Sequence, residues 1–283
     1  MKKQLSTILL VLALLAGVSL LLYPSLSNYW NSMHATQAVN DYAKDVQELD
    51  YTEYDRMLRD AERYNQSLLH RESDYALTDE QDSQYASLLA IDDSGIMGYI
   101  EIPSIGVSLP IYHGTSDGVL QRAVGHLDWT SLPVGGASTH CVLSGHRGLP
   151  SAKLFTDLDQ LAAGDTFVIR VLDEVLTYEV DQILIVEPAD VSALSIEDGK
   201  DLCTLVTCTP YGVNSHRLLV RGHRVENAEE AAVVRVTSDA IRIEPVIVAP
   251  FAALPFLLVL LLLLLFSGTK KKPQGGTDHA EHS

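Results

Sequence analysis

Apolar positions change their spacing several times along the chain, and each change marks an element. Residues 4–40 carry no charge, and their apolar centre, 8–23, follows Lys2 and Lys3. That centre is about long enough to span a bilayer, at the short end of the usual ~20 residues. Pro24 and Ser25-Leu26-Ser27 follow instead of a small-residue cleavage pattern, so an uncleaved anchor with its flank is expected over 1–37. From 39 to 69 the apolar residues recur at steps of three and four (Val39, Tyr42, Val46, Leu49, Tyr54, Met57, Leu58, Ala61, Tyr64, Leu68). This period predicts an amphipathic helix or helix pair packed on the main domain. Residues 70–84 are polar, acidic and without period, which predicts a loop or cover, followed by a turn near Tyr85. The helical region with this loop spans 38–95.

After the turn residues Asp92-Asp93-Ser94-Gly95 the period shortens to two. Strands are expected over 97–103, 107–112, 139–144, 167–172, 175–186, 202–207 and 216–222. Short helices are expected near 119–123 and over 151–161, the second with Ser151 as N-cap. Many short strands with few helices predict a mainly β fold, a closed or nearly closed barrel over 96–226. A polar linker over 227–244 leads to a second uncharged run, 245–267, and then Lys270-Lys271-Lys272 in a tail, 268–283. Basic residues flank both apolar runs on their outer sides. Two membrane helices are therefore expected, with both termini cytoplasmic and the barrel outside the cell.

Composition narrows the function. The formal net charge of −17 over 283 residues argues against a nucleic-acid partner, which needs a basic face. Three cysteines, Cys141, Cys203 and Cys208, are too few for a disulfide framework. Cys141 and Cys203 lie in apolar runs and read as buried thiols, although a Cys141–Cys203 bridge with Cys208 left over remains an alternative. His140, Cys141 and His146 are close in sequence without a zinc-like spacing, and neither a metal nor another cofactor is expected.

Cys208 differs from the other two because it sits where an apolar run ends and the turn Pro210-Tyr211-Gly212-Val213-Asn214 begins. A hairpin return through that turn brings Arg217 beside it. A guanidinium there favours thiolate over thiol and offers fixed donors to an oxyanion. His146 likewise lies just past a strand end and supplies a proton carrier. Against this stands the common use of a lone cysteine as a small core residue. Cys203 fits that use better than Cys208.

The segment Thr204-Leu205-Val206-Thr207-Cys208 resembles the TLxTC signature of sortases, the membrane-anchored transpeptidases of Gram-positive bacteria. His146 in SGHRG and Arg217 after NSH match the other two triad positions. The resemblance runs from about 96 to 224. It is nearest to the class C, pilin-polymerising branch, through GYIEIPSIGVSLPIYHGTS, HRGLPSAKLFTDLDQL and TLVTCTPYGVNSHRLLVRGHR. A second, C-terminal membrane segment is a further trait of that branch. The resemblance implies a sortase-like closed barrel of about eight strands. It implies Cys208 as nucleophile on an LPxTG-like sorting signal between Thr and Gly, His146 as general acid and base, and Arg217 as stabiliser of substrate or oxyanion. The acceptor would be a lysine amine of the next pilin subunit. Thr207 is a further candidate for the oxyanion or substrate. Class C sortases carry a lid with an Asp-x-aromatic motif. Here Asp74 and Tyr75 keep the acid and the ring without the intervening residue, so lid gating and an ordinary polar loop both fit.

His113 and His126 read as structural histidines, and Arg221 as a structural or solvent residue further from Cys208 than Arg217. Three rival functions remain: a sortase that joins surface proteins to peptidoglycan, an inactive sortase-like binding module, and a cysteine peptidase with water as acceptor.

Overall fold

Eight strands close into a barrel in the computed structural model, which describes residues 2–69 and 77–227. They are β1 (Ile96–Ile102), β2 (Val107–His113), β3 (Val124–His126), β4 (Thr139–Ser144), β5 (Thr166–Val171), β6 (Glu174–Val186), β7 (Asp201–Thr209) and β8 (His216–Val225). Their spatial order is β1-β2-β3-β4-β7-β8-β6-β5, and β5 returns to β1 to complete the ring. Seven of these strands are legible as alternating or apolar runs. β3 is not, because three residues are too short to show a period.

Closure removes every free edge that an open sheet would expose. It also gives each strand an inner and an outer face, since successive side chains alternate. The inner faces build the main core, which includes Met97, Ile100, Ile111, Leu143, Phe167, Ile169, Tyr178, Leu205 and Val220. Most pairs are antiparallel, but β2–β3 and β4–β7 run parallel. The parallel β4–β7 pair matters most, because it brings two distant stretches of chain to their ends side by side.

The helical region before the barrel forms as its period demands. α1 (Lys2–Glu48) and α2 (Tyr51–Leu68) are separate helices, and Asp50 caps the second through the Glu53 amide at 2.8 Å. The Tyr42 hydroxyl donates to the Met97 carbonyl at 3.0 Å and accepts from the Leu172 amide at 2.8 Å. On α2, Asn65 bonds both the amide and the carbonyl of Leu132, at 2.7 and 3.1 Å. These bonds satisfy buried polar groups on both sides and fix the helices to the barrel. The chain divides into two units, 26–237, and 1–25 with 238–283. Of the latter only 2–25 is described, as the first turns of α1. Among the described residues α1 alone is long and apolar enough to cross a membrane. The second expected span, 245–267, lies outside the described residues, as do Asp74 and Tyr75.

Two local expectations are corrected. Residues 79–87 form α3 (Asp79–Ser87) rather than the end of a loop and a turn. Thr78 and Gln81 make a reciprocal capping box at its start, and acidic residues occupy its first turn. The Thr78-x-x-Gln81 spacing is the local signal for this helix, and its few apolar residues give it no visible period. Conversely, 151–161 is not a helix. Leu154 adopts a φ of 41°, and only a 3-10 turn over Leu158–Gln160 forms. Ser151 is no cap; its carbonyl accepts from the Asn31 side chain at 2.7 Å. The expected helix at 119–123 exists as the short α4 (Asp117–Leu120).

Candidate active site

The site follows from the register of three neighbouring strands. β4 and β7 pair in parallel from Thr139↔Asp201 to Ser144↔Val206. β7 and β8 pair antiparallel, with Cys208 directly opposite Arg217. Carrying the β4–β7 register two residues past the end of β4 sets His146 beside Cys208. Two bonds hold the chain on that path. The Gly145 amide donates to the Val206 carbonyl at 3.0 Å, and the Thr207 hydroxyl donates to the Gly145 carbonyl at 2.7 Å. Cys208 and Arg217 thus form one row of the sheet, and His146, two residues past the end of β4, continues that row at the same 62-residue offset.

Alternation puts this row on the outer face. Cys208 shares its side of β7 with Val206 and Thr204, and Arg217 shares its side of β8 with Leu219. The next row is Ser144, Val206, Leu219 and Leu184. Val142, Val206 and Leu219 are buried there beneath Leu194, with Leu127, Trp129, Leu184, Val186, Val191 and Ala193 packed around them. A half-buried thiol therefore ends an apolar strip whose walls come from the β3–β4 and β6–β7 connections. The β6–β7 connection, 187–200, reads as a polar link in sequence, which hides the apolar wall residues Val191, Ala193 and Leu194 within it. Cys208, His146 and Arg217 are all partly exposed at the end of the strip. The Arg217 guanidinium bends over its own turn, donating to the carbonyls of Asn214 at 3.4 Å and His216 at 3.2 Å.

Thr207 stands differently from its expected role. It points to the inner face, is buried, and spends its hydroxyl on Gly145 rather than facing the thiol's side of the sheet. Arg221 lies two rows from Cys208, held by Asp181 at 2.9 Å and Glu197 at 2.8 Å. His126 lies between the Tyr85 hydroxyl at 2.9 Å and the Ser131 carbonyl at 2.8 Å. His113 faces the Leu88 and Gly95 carbonyls. Burial pushes the His113 and His140 imidazoles below their ordinary range despite the carbonyls near each. These histidines are satisfied parts of the scaffold.

The other two cysteines meet on the inner face. Cys141 and Cys203 are register partners on β4 and β7, both free and fully enclosed. Burial holds the Cys203 thiol well above its ordinary value. Neither thiol shares a face with Cys208.

One residue that sequence reasoning passed over is Arg147. It follows His146, only 9% of its side chain is exposed, and it forms an ion pair with Asp159. Its guanidinium also reaches the Thr209 hydroxyl at 3.5 Å and lies 5.9 Å from the centre of the Tyr211 ring. Adjacency to His146 was the only available signal.

Comparison with known proteins gives a consistent answer. Residues 100–225 match the sortase domain. Sortase C1 from Streptococcus agalactiae superposes with a TM-score of 0.66 at 52% identity, covering 68% of this chain and 100% of that one. A Clostridium perfringens sortase C, solved with the C-terminal cell wall sorting motif, gives 0.61 at 44% identity, covering 68% and 100%. Among curated proteins, Sortase D of Bacillus subtilis is 32% identical over 131 residues, which is 45% of this chain and 63% of that relative's length.

Proposed function

The chain belongs to the sortase family, with class C sortases as its structural relatives, and from that premise we propose that it is a cysteine transpeptidase that polymerises pilin subunits. The observation that carries this reading is the single row of His146, Cys208 and Arg217 at the end of an apolar strip. The strip suits the apolar part of an extended LPxTG-like signal. A guanidinium beside the thiol suits a carbonyl oxygen that gains charge.

The proposed reaction has two halves. The Cys208 thiolate attacks the carbonyl between Thr and Gly, and an S–C bond forms as the C–N bond breaks. His146, as imidazolium, gives its proton to the leaving amine. A lysine amine of another pilin subunit then attacks the thioester. His146 takes a proton from that amine, the new C–N bond forms and the S–C bond breaks, which restores thiolate and imidazolium. Arg217 holds the oxyanion in both halves. An imidazole suits this two-way duty because its ordinary pKa lies near neutral pH.

α1 serves as the N-terminal anchor in this reading, and 245–267 as a second span, so that the barrel works on the outer surface. The sorting motif in the Clostridium perfringens structure and the pilin substrate specificity discussed for the Streptococcus pneumoniae sortase C support a pilin substrate. The rival reading within the same chemistry is transfer to a cell-wall amine, which differs only in the acceptor that attacks the thioester.

The test mixes the full-length chain, in detergent micelles, with a pilin subunit bearing an LPxTG-like tail, and resolves the products on a denaturing gel. A ladder of covalent multimers that vanishes with Cys208→Ala is the expected result. Cleaved monomer with no ladder, even with lysine-bearing acceptors in excess, would replace pilin polymerisation by hydrolysis or cell-wall transfer.

A further inference from the structure

We infer that Arg147 and Thr207 are positioning residues that extend the β4–β7 register past the end of β4 and so hold His146 opposite Cys208. The inference rests on the proposed roles of those two residues and adds how they are kept together.

β4 ends at Ser144, and its last ladder bond to β7 runs from the Gly145 amide. His146 therefore lies beyond the sheet, where backbone pairing no longer fixes it. Its carbonyl accepts from the Phe155 amide at 3.1 Å, which ties it to its own loop but not to β7. Side chains take over where the ladder stops. The residue before Cys208 bonds the residue before His146, Thr207 hydroxyl to Gly145 carbonyl. The residue after His146 bonds the residue after Cys208, Arg147 to Thr209 hydroxyl. Both bonds join residues 62 apart, which is the offset of the parallel ladder itself. The two flanking ties thus bracket the pair at the same offset, His146 and Cys208.

Arg147 is built for this duty. A fixed guanidinium fork can serve several partners at once, and here they come from three segments. Asp159 follows in the loop after His146, Thr209 ends β7, and Tyr211 belongs to the turn before Arg217. Gly148 lets the turn approach this closely, since a Cβ there would meet the Tyr211 ring at 3.0 Å. The side chain is only 9% exposed, so Arg147 is placed to hold the loop rather than to receive substrate.

The decisive measurement is the pH dependence of Cys208 alkylation by iodoacetamide in the full-length protein, with His146→Ala as the reference for an imidazole lost from the thiol. Arg147→Gln and Thr207→Val should each move the profile from that of the native chain toward that of His146→Ala, and Thr207→Ser, which keeps the hydroxyl, should restore it. Cleavage of an LPxTG-like peptide should fall in kcat by roughly 10²-fold for Arg147→Gln, the scale of a 1 Å misplacement, with KM within about twofold. Thr209→Val added to Arg147→Gln should lower kcat little further, because both changes break one tie. A profile unchanged in Arg147→Gln, whatever its Tm, overturns the inference. If the native chain cleaves no sorting peptide, the enzymatic reading fails, while the alkylation profiles still decide the positioning role.

Discussion

The two faces of the β4–β7–β8 sheet carry the same kinds of residue and have opposite fates. On the inner face Cys141 and Cys203 stand side by side, enclosed by the core, with Gly222 opposite Cys203 leaving room for the Phe167 ring. On the outer face Cys208 stands between His146 and Arg217 and is half open to solvent. Cys208 lies five positions after Cys203, an odd step, so the pleat sends them to opposite sides. The chemistry of a thiol here is decided by parity and by strand position. Burial raises the cost of forming a thiolate at Cys203 on the inner face, whereas Cys208 ends its strand at the solvent edge of the outer one.

The sharpest way to break this contrast is to delete each sulfur in turn. Cys208→Ala should lower transpeptidation by roughly 10⁴-fold or more with an unchanged melting curve. Cys203→Ala should keep its turnover per folded molecule and lose about 1 kcal/mol of stability. Thiol titration of the native chain should find one fast group and of the denatured chain three. Two fast groups in the native chain would remove the distinction between the faces.

Two glycines of the inner face, one just before His146 and one on β8, separate placement of the site loop from packing of the core. A Cβ on Gly145 would meet the Phe155 ring at 2.7 Å, directly before His146. A Cβ on Gly222 would meet the Phe167 ring at 2.8 Å, on the far side of the sheet from the thiol. Both alanine variants should lose roughly 1–3 kcal/mol by overpacking. Only Gly145→Ala should also lower kcat, by about 10-fold or more as the His146 loop shifts. Equal kcat in the two variants would show that the loop tolerates the shift.

Acid should act through the buried histidines of the scaffold. His113 and His140 have folded pKa values lowered from 6.5, so the unfolded chain binds their protons first as pH falls. Their contribution to stability is complete above about pH 6.5 and is lost below it, with a slope of at most about 1.4 kcal/mol per pH unit for each. Chemical denaturation between pH 7 and pH 5 should show that loss, and His140→Gln should reduce its slope. The smallest effect belongs to Ile185, 65% exposed on the end of β6 that extends past β5. Ile185→Ser should change stability by less than about 0.5 kcal/mol and leave cleavage unchanged, as measured by Tm and peptide turnover.

Much of this molecule is written locally. Period-two runs located seven strands, the helical period located the α1–α2 region, and Cys208 and His146 stood out because each lies where an apolar run stops. Those features need only neighbouring residues, since burial on one face imposes its spacing on the chain. Long-range facts were out of reach. No spacing shows that β4 and β7 pair in parallel with an offset of 62 residues, the offset at which His146 comes opposite Cys208. Nor does any spacing show that Thr207 turns inward to serve Gly145 while Arg147 reaches over to Thr209. A β-strand's own sequence fixes which side chains share a face, but its partners and register come from closing the whole barrel. The candidate residues were therefore determined by the sequence, and their meeting was decided by the tertiary structure.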